Sequence, residues 1–328
     1  MSGSRAVFVE APARLHMGMI DLRGDFGRRF GGIGAALEAP SLLLEARPAE
    51  RLSAAGEDRE RLLLYAQRFL DRHSIEGGAW LQVHRAIPAH SGLGSGTQLA
   101  LATARALAAL FGRPIDTPGL AEATGRALRS AIGTWAFEQG GFLLEGGRSV
   151  PGDGPAPLLL RRPMPAEWRC VLAIPDVPPG LSGSVEEQAF RDLPPPPSEL
   201  AGGIAHLILM ALLPALVEED LTAFGSALNE IQRLVGEMFR PVQGERFAHP
   251  LVAELVDELL AGGAAGAGQS SWGPAVYGLV RGDEAARSLA CRVEDRLEGR
   301  GVVLATGFNN RGARCWTVDA PPSSSGSV

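Results

Sequence analysis

The chain has 328 residues, 45% of them hydrophobic and 21% charged. That is a globular composition, which excludes fibrous and disordered classes and gives room for two ordinary domains or one large one. The formal net charge of −6 excludes the basic excess that broad nucleic-acid or anionic-membrane binding requires, while permitting a local cluster of donors for a small phosphorylated ligand.

All 31 basic residues are arginine. Codon usage is the bland origin, but the chemical consequence holds: no lysine can form a Schiff base, and a cationic phosphate contact must come from the planar guanidinium fork. Cys170, Cys291 and Cys315 are scattered, with no metal-ligand spacing and no disulfide framework, which fits a reducing cytoplasm. Residues 1–10 lack the charged start and long apolar core of a signal peptide. The strongest apolar stretch, Ile204 to Val217, falls short of membrane-spanning length and runs into Glu218-Glu219-Asp220. A soluble, cytoplasmic protein is expected.

In chain order, Ala6 to Val9 reads as an opening strand broken by Pro12, and Ser41 to Ala46 as a second strand. Arg59 to His73 carries Leu62, Leu63, Tyr65, Ala66, Phe69 and Leu70 at helical spacing. Trp80 to His84 alternates as a strand does and enters a glycine-rich loop. The Ala/Leu run from Gln98 to Phe111 is a helix stopped by Gly112 and Pro114. Five prolines between Pro151 and Pro165 mark a link between halves, and Pro194 to Pro197 a surface loop.

Beyond the link, Arg169 to Pro175 is a short buried strand. Residues 201–216, 221–239 and 251–260 are helices, and 276–280 and 315–318 are strands. The Pro/Ser/Gly tail from Pro321 reads as disordered. Strands and helices mix without a regular βαβ repeat, so the fold class is α+β. Residues 1–160 form an N-terminal domain, 161–318 a C-terminal one and 319–328 a tail.

The sharpest local signal is Ser91-Gly92-Leu93-Gly94-Ser95-Gly96-Thr97, between a strand and a helix. Three glycines in five positions let a ligand approach the backbone, and a helix beginning there aims unpaired N–H groups and its positive end at an anion. Ser91, Ser95 and Thr97 add hydroxyl groups, with Ser95 as a candidate metal ligand. The alternative is a plain strand-to-helix turn with a Ser or Thr cap. The string matches neither the Walker pattern nor the dinucleotide fingerprint.

The segment from Pro88 to Ala104 resembles the phosphate-binding motif of the GHMP small-molecule kinase superfamily. Further blocks resemble one branch of it, the β-ribofuranosylaminobenzene 5′-phosphate synthases of the methanopterin pathway. They are Arg14-Leu15-His16-Met17-Gly18-Met19-Ile20-Asp21-Leu22, Arg28 to Gly34, Ser130 to Thr134 with Gly140-Gly141-Phe142, Gly180-Leu181-Ser182-Gly183, Pro241 to Pro250, Gly268 to Pro274 and Asn309-Asn310-Arg311-Gly312. Together they span Arg14 to Gly312.

The resemblance implies a two-domain fold of mixed sheets and helices with its site in the cleft between domains, and a homodimer. It implies decarboxylating transfer of ribose 5-phosphate from phosphoribosyl pyrophosphate to 4-aminobenzoate or 4-hydroxybenzoate, with Mg²⁺ at the departing diphosphate. The alternative is an ATP-dependent kinase. Against it, kinase relatives generally carry an aspartate in their third glycine-rich motif, whereas residues 130–141 contain no aspartate and only Glu138 as an acid.

On that implied chemistry, Ser91, Gly92, Gly94, Ser95, Gly96 and Thr97 hold the diphosphate. Arg28 and Arg29, before Gly31-Gly32, form a mobile loop able to clamp a phosphate, and Arg311 is a third phosphate contact. Arg14, His16 and Asp21 are the catalytic candidates. Gln269, Ser270, Ser271 and Trp272 are candidates for holding the aromatic acid. His16 as a structural histidine, Asp21 as a turn aspartate, Arg28 and Arg29 as surface arginines and Trp272 as core are the ordinary alternatives. Glu186 and Glu187 read as a solvated helix start.

Overall fold

A computed structural model describes residues 5–56, 58–150, 152, 154–180 and 183–319. The expected disordered tail from Pro321, and Leu181 and Ser182 of one motif block, lie outside the described residues.

The first sheet grows from one long antiparallel hairpin, β1 (Arg5–Asp21) and β2 (Arg28–Ala49). Pro12 does not end β1. It pairs with Ser41 at a bulge between Pro12 and Ala13, where the missing N–H is tolerated and the strand bends without stopping. β2 spans 22 residues and so serves two sets of neighbours. Its far half pairs with β4 (Gly78–Arg85), which carries the three-residue β3 (Ser53–Ala55) on its other side. Its near half pairs with β5 (Phe142–Glu145) and β6 (Arg148–Ser149), and β5 in turn carries β7 (Leu158–Arg162).

The expected boundary at residue 160 therefore falls inside a strand of the first sheet. Residues 314–319, assigned to the second domain, return as β12 (Arg314–Asp319) to the free edge of β1. Arg28 to Gly34 is not a mobile loop but the start of β2. Its glycines permit close packing: a Cβ at Gly34 would collide with the Leu15 carbonyl and the Ile132 side chain.

Across the first sheet pack α1 (Arg59–Arg72), α2 (Ser95–Leu110), α3 (Thr117–Ala123) and α4 (Ile132–Gln139). The second sheet is antiparallel in the order β11-β8-β10-β9. It consists of β8 (Trp168–Pro175), β9 (Gly266–Gln269), β10 (Val276–Arg281) and β11 (Gly301–Thr306). The remaining helices are α5 (Gly183–Asp192), α6 (Ser198–Leu207), α7 (Leu213–Val217), α8 (Leu221–Gln243), α9 (Pro250–Ala261) and α10 (Asp283–Leu297).

α8 lies against both β1 and β9. Through it, by way of Phe224 of α8, the principal core runs without a break from Val7 and Phe142 of the first sheet to Trp168 and Tyr277 of the second. A smaller core beneath α9 and α10 contains Val252, Leu255, Val276 and Val293. The architecture is α+β.

The apolar stretch is longer than the sequence reading allowed. A π-helical turn at Ile208–Leu212 joins α6 to α7 as one 20-residue helical segment, Ser198–Val217, long and apolar enough by length and composition to cross a membrane. Here Ile204, Ile208 and Leu212 are buried, α6 packs on α8 and β1, and Leu209, Met210 and Val217 are exposed.

Candidate active site

The glycine-rich loop is held from both sides. The N–H of Arg14 on β1 donates to the Leu93 carbonyl at 3.1 Å, and the Ala275 N–H donates to Ser91 O at 2.9 Å. Ser270 Oγ donates to Gly92 O at 2.7 Å and accepts from the His16 N–H at 3.0 Å. A single serine thus fastens loop, first sheet and second-sheet turn together. Gly92 has φ +88°, and a Cβ there would strike the Ser270 carbonyl, so this position admits only glycine. Gly94, with φ +79°, turns the chain into α2, whose first turn contains Ser95, Gly96 and Thr97.

Four arginines line one cleft of about 430 Å³ at that helix N-terminus: Arg14 of β1, Arg61 of α1, and Arg126 and Arg129 of the α3–α4 connection. A Cβ on Gly94 would sit 3.1 Å from Arg14 Cγ, and one on Gly96 would sit 3.1 Å from Arg126 Nη2 and 3.2 Å from Arg61 Nη2. The bare glycines bring three guanidinium groups against the first turn of the helix.

Burial pushes Arg14 down to about 10 despite the opposing charges of Glu186 and Glu145. Arg126 is likewise held at about 10, by burial first and then by Arg61 and Arg129. The Nε–H groups of Arg14 and Arg126 are buried without a protein partner. Clustered cations with unmet donors at a helix N-terminus form an anion site.

His16 is buried beside this cluster, its Nε2 3.2 Å from Ser130 Oγ. Burial, and then the charge of Arg14, depress it to about 3, so the imidazole is neutral. Behind Ser130 lies Glu145, fully buried on β5, with Oε2 accepting from the Ala131 N–H at 2.6 Å. Burial raises its carboxyl to about 7.

Part of the cleft lining is aromatic, and Arg129 stacks on one of its rings, Phe190, at 5.5 Å. Trp272 packs edge-on against Phe239 at 4.7 Å and Phe190 at 5.4 Å between ring centroids, and Met19, Val235 and Phe247 also line it. Arg246 stands at this exposed side. Gln269 and Ser271 border the cleft, although the Gln269 amide is engaged with the Ala248 N–H and Ser271 O. Ser270 is fully buried in the fastening role described above.

Ser91, expected at the diphosphate, is buried behind the loop with its hydroxyl donating to Pro88 O at 2.8 Å and does not line the cleft, and four more expected contacts are elsewhere. Asp21 Oδ1 accepts from the Arg23 N–H at 2.6 Å and the Gly24 N–H at 3.3 Å, capping the turn between β1 and β2. Arg28 donates to Gly147 O and Arg29 to Leu22 O, both at 2.9 Å, holding the same hairpin end. Arg311 follows Asn309, whose side chain accepts from the Arg311 and Gly312 N–H groups in a tight turn. None of the four lines the cleft.

Conversely, the sequence reading passed over Arg61, Arg126, Arg129, Ser130 and Glu145. It also misplaced Glu186, which lines the cleft and accepts from Arg129 Nη2 at 2.5 Å. Burial raises Glu186, against the pull of Arg129 and Arg14.

Among the described residues no group of three or more His, Cys, Asp or Glu could hold a metal ion. The oxygen donors bordering the cleft are the Ser95 and Thr97 hydroxyls and the Glu186 and Glu187 carboxylates. These hard donors suit a Mg²⁺ that arrives on a diphosphate and takes one or two further ligands from the protein.

The sequence pattern of the GHMP kinases N terminal domain matches residues 61–136, and that of the GHMP kinases C terminal matches 212–299. The chain is 36% identical to a β-ribofuranosylphenol 5′-phosphate synthase of Methanothermobacter thermautotrophicus, over 94% of this chain and 98% of that one. It is 34% identical to a like-named protein of Methanocaldococcus jannaschii, over 94% of this chain and 100% of the relative. In fold it is similar to the crystal structure of homoserine kinase from Cytophaga hutchinsonii. The TM-score is 0.68 at 19% identity, covering 95% of this chain and 97% of the kinase.

Proposed function

The chain belongs to the β-ribofuranosylphenol 5′-phosphate synthase family, and from that premise we propose that it transfers ribose 5-phosphate from phosphoribosyl pyrophosphate to carbon 1 of a 4-substituted benzoate, releasing pyrophosphate and CO₂, as a step of methanopterin biosynthesis. The acceptor is 4-hydroxybenzoate or 4-aminobenzoate, and the relatives' names, which specify a phenol, favour the first.

The observation that carries this reading is the pair of unmet Nε–H donors on Arg14 and Arg126, set at a helix N-terminus in a cleft that Phe190, Phe239 and Trp272 also line. Such a cleft has one end for a polyanion and another for a ring. The diphosphate lies along Gly92 to Thr97 under the guanidinium groups of Arg14, Arg61 and Arg126. There, fixed positive charge stabilises the negative charge that grows as the anomeric C–O bond breaks. Mg²⁺, when bound with the diphosphate near Ser95 and Glu186, supplies further charge neutralisation.

The benzoate ring lies against Phe190, Phe239 and Trp272, where apolar side chains keep water from the oxocarbenium-like ribose. Its carboxyl-bearing carbon is presented to the anomeric carbon. The neutral imidazole of His16 offers a ring nitrogen as hydrogen-bond acceptor to the ring substituent, which makes that carbon more electron-rich. A kinase reading lacks support in the cleft: among the described lining residues there is no aspartate to sit beside a transferred phosphate.

The test is incubation with carboxyl-labelled aromatic acid and phosphoribosyl pyrophosphate, with ATP and a small alcohol in a parallel tube. Release of labelled CO₂ and pyrophosphate in equal amounts, abolished by a chelator, is expected. ATP consumption with no CO₂ would overturn the assignment.

A further inference from the structure

Glu145, with Ser130 beside it, belongs to the buried cluster but has no part in the reaction above. Its position is unusual. It is a carboxyl on the central sheet with no exposure at all, held through Oε2 by the Ala131 N–H. Its register neighbours on β2 and β7, Gly32 and Leu158, carry no charge. The charged group facing it is Arg14 of β1, and His16 of the same strand reaches it by way of Ser130.

Its second oxygen, Oε1, has no partner of hydrogen-bond geometry, although the Ser130 hydroxyl is close enough to hold the carboxyl below the level that burial alone would set. Ser130 Oγ accepts from the Ile132 N–H at 3.2 Å and lies 3.2 Å from His16 Nε2. When Nε2 carries the proton, both lone pairs of the serine oxygen are occupied, and the hydroxyl hydrogen is left to point at Glu145.

Resting on the reaction assigned above, we propose that Glu145 is a positioning residue that acts through Ser130 and His16, receiving a proton taken from a 4-hydroxyl acceptor and returning it after CO₂ has left. The phenolic O–H bond breaks as an N–H bond forms on the His16 ring nitrogen that does not face Ser130. The Nε2 proton passes to Ser130 Oγ, and the serine proton passes to Glu145. The electron pair left on the phenol oxygen moves through the ring, carbon 1 bonds to the anomeric carbon, and the diphosphate leaves with the C–O pair. The bond from carbon 1 to the carboxylate then breaks, its pair returns through the ring to the oxygen, and the oxygen recovers its proton along the same path. No proton is gained or lost overall.

The Glu145 carboxylate supplies the basicity that an imidazole depressed to about 3 lacks, so the proton is handed on as it arrives and no imidazolium accumulates. A 4-amino acceptor needs no such relay. Its lone pair already feeds the ring, and loss of CO₂ restores neutrality without a proton transfer.

Glu145→Gln retains the shape and an acceptor for the Ala131 N–H. With saturating phosphoribosyl pyrophosphate, kcat for 4-hydroxybenzoate should fall about 100-fold, while kcat for 4-aminobenzoate stays within about threefold. Wild-type kcat should rise with pH up to about 7 as Glu145 ionises, and that rise should be absent from the variant. Ser130→Ala breaks the same path with Glu145 intact and should give the same split; it carries the test if the glutamine variant does not fold.

Equal losses on both acids, no loss on the hydroxy acid, or a surviving pH limb would each overturn the relay. Wild-type enzyme inert toward both acids would instead overturn the reaction assignment, and the relay with it.

Discussion

Arg126 gives opposite expectations for binding and for stability, so a single substitution tests its role. Its guanidinium is mostly buried between Arg61 and Arg129, and its pKa is held near 10 against an ordinary 12.5, a difference that corresponds to about 3 kcal/mol of disfavoured charge at neutral pH. The favourable contacts are a hydrogen bond to the Tyr65 hydroxyl and a stack on its ring at 4.9 Å, together about 1–2 kcal/mol. Arg126→Ala should therefore leave the ligand-free protein as stable as wild type or more so by about 1 kcal/mol, a rise of roughly 2 °C for a chain of this size.

The same change removes a charge-assisted contact to the diphosphate worth about 1.5–3 kcal/mol, so kcat/KM for phosphoribosyl pyrophosphate should fall by roughly 10–150-fold. Thermal unfolding with and without pyrophosphate, beside steady-state kinetics, reads both effects. A variant that unfolds several degrees earlier while keeping wild-type kcat/KM would refute the reasoning and make Arg126 a structural residue.

Gly96→Ala lies inside the first turn of α2 with ordinary helical backbone. It should gain about 1 kcal/mol of helix stability yet weaken phosphoribosyl pyrophosphate, because its methyl would displace Arg126 and Arg61 from 3.1 and 3.2 Å; unchanged affinity would place the ligand elsewhere. Arg28→Ala should keep kcat/KM within about threefold, since the side chain serves Gly147 O in the hairpin; a loss of ten-fold or more would restore it to the site. Because Glu145 is raised from 4.5 to about 7 in the fold, the folded state holds a proton that the unfolded chain has released between those values. Stability should accordingly fall by about 3 kcal/mol as pH rises through that window, and chemical denaturation of Glu145→Gln should lack the slope.

What sequence could reveal here depended on how local the signal was. The loop from Ser91 to Thr97 and the buried Ser270 are legible because glycine and hydroxyl residues mark close backbone approach within a few positions. The cation cluster is not legible in that way. Arg61 is one of several arginines on an amphipathic helix, Arg126 and Arg129 precede a motif that drew attention for other reasons, and only packing of α1 against α2 brings them together.

Arg28, Arg29 and Asp21 misled for a related cause. Paired glycines look mobile in sequence, yet Gly32 and Gly34 are small because β1 and α4 come close. An aspartate before a glycine turn caps that turn as readily as it ligates a metal. Glu145 carried no sequence signal at all, since an acid closing a short apolar strand ordinarily faces water.

The pairing of Arg5 with Asp319 has a consequence for biosynthesis. The outer flank of β1 from Arg5 to Glu10 stays open until β12 has been made, after every other strand of both sheets. Over that interval the strand presents unsatisfied N–H and C=O groups that invite pairing with other chains. Expression yield should for this reason be sensitive to lesions in residues 314–319, although those residues lie far from the chemistry.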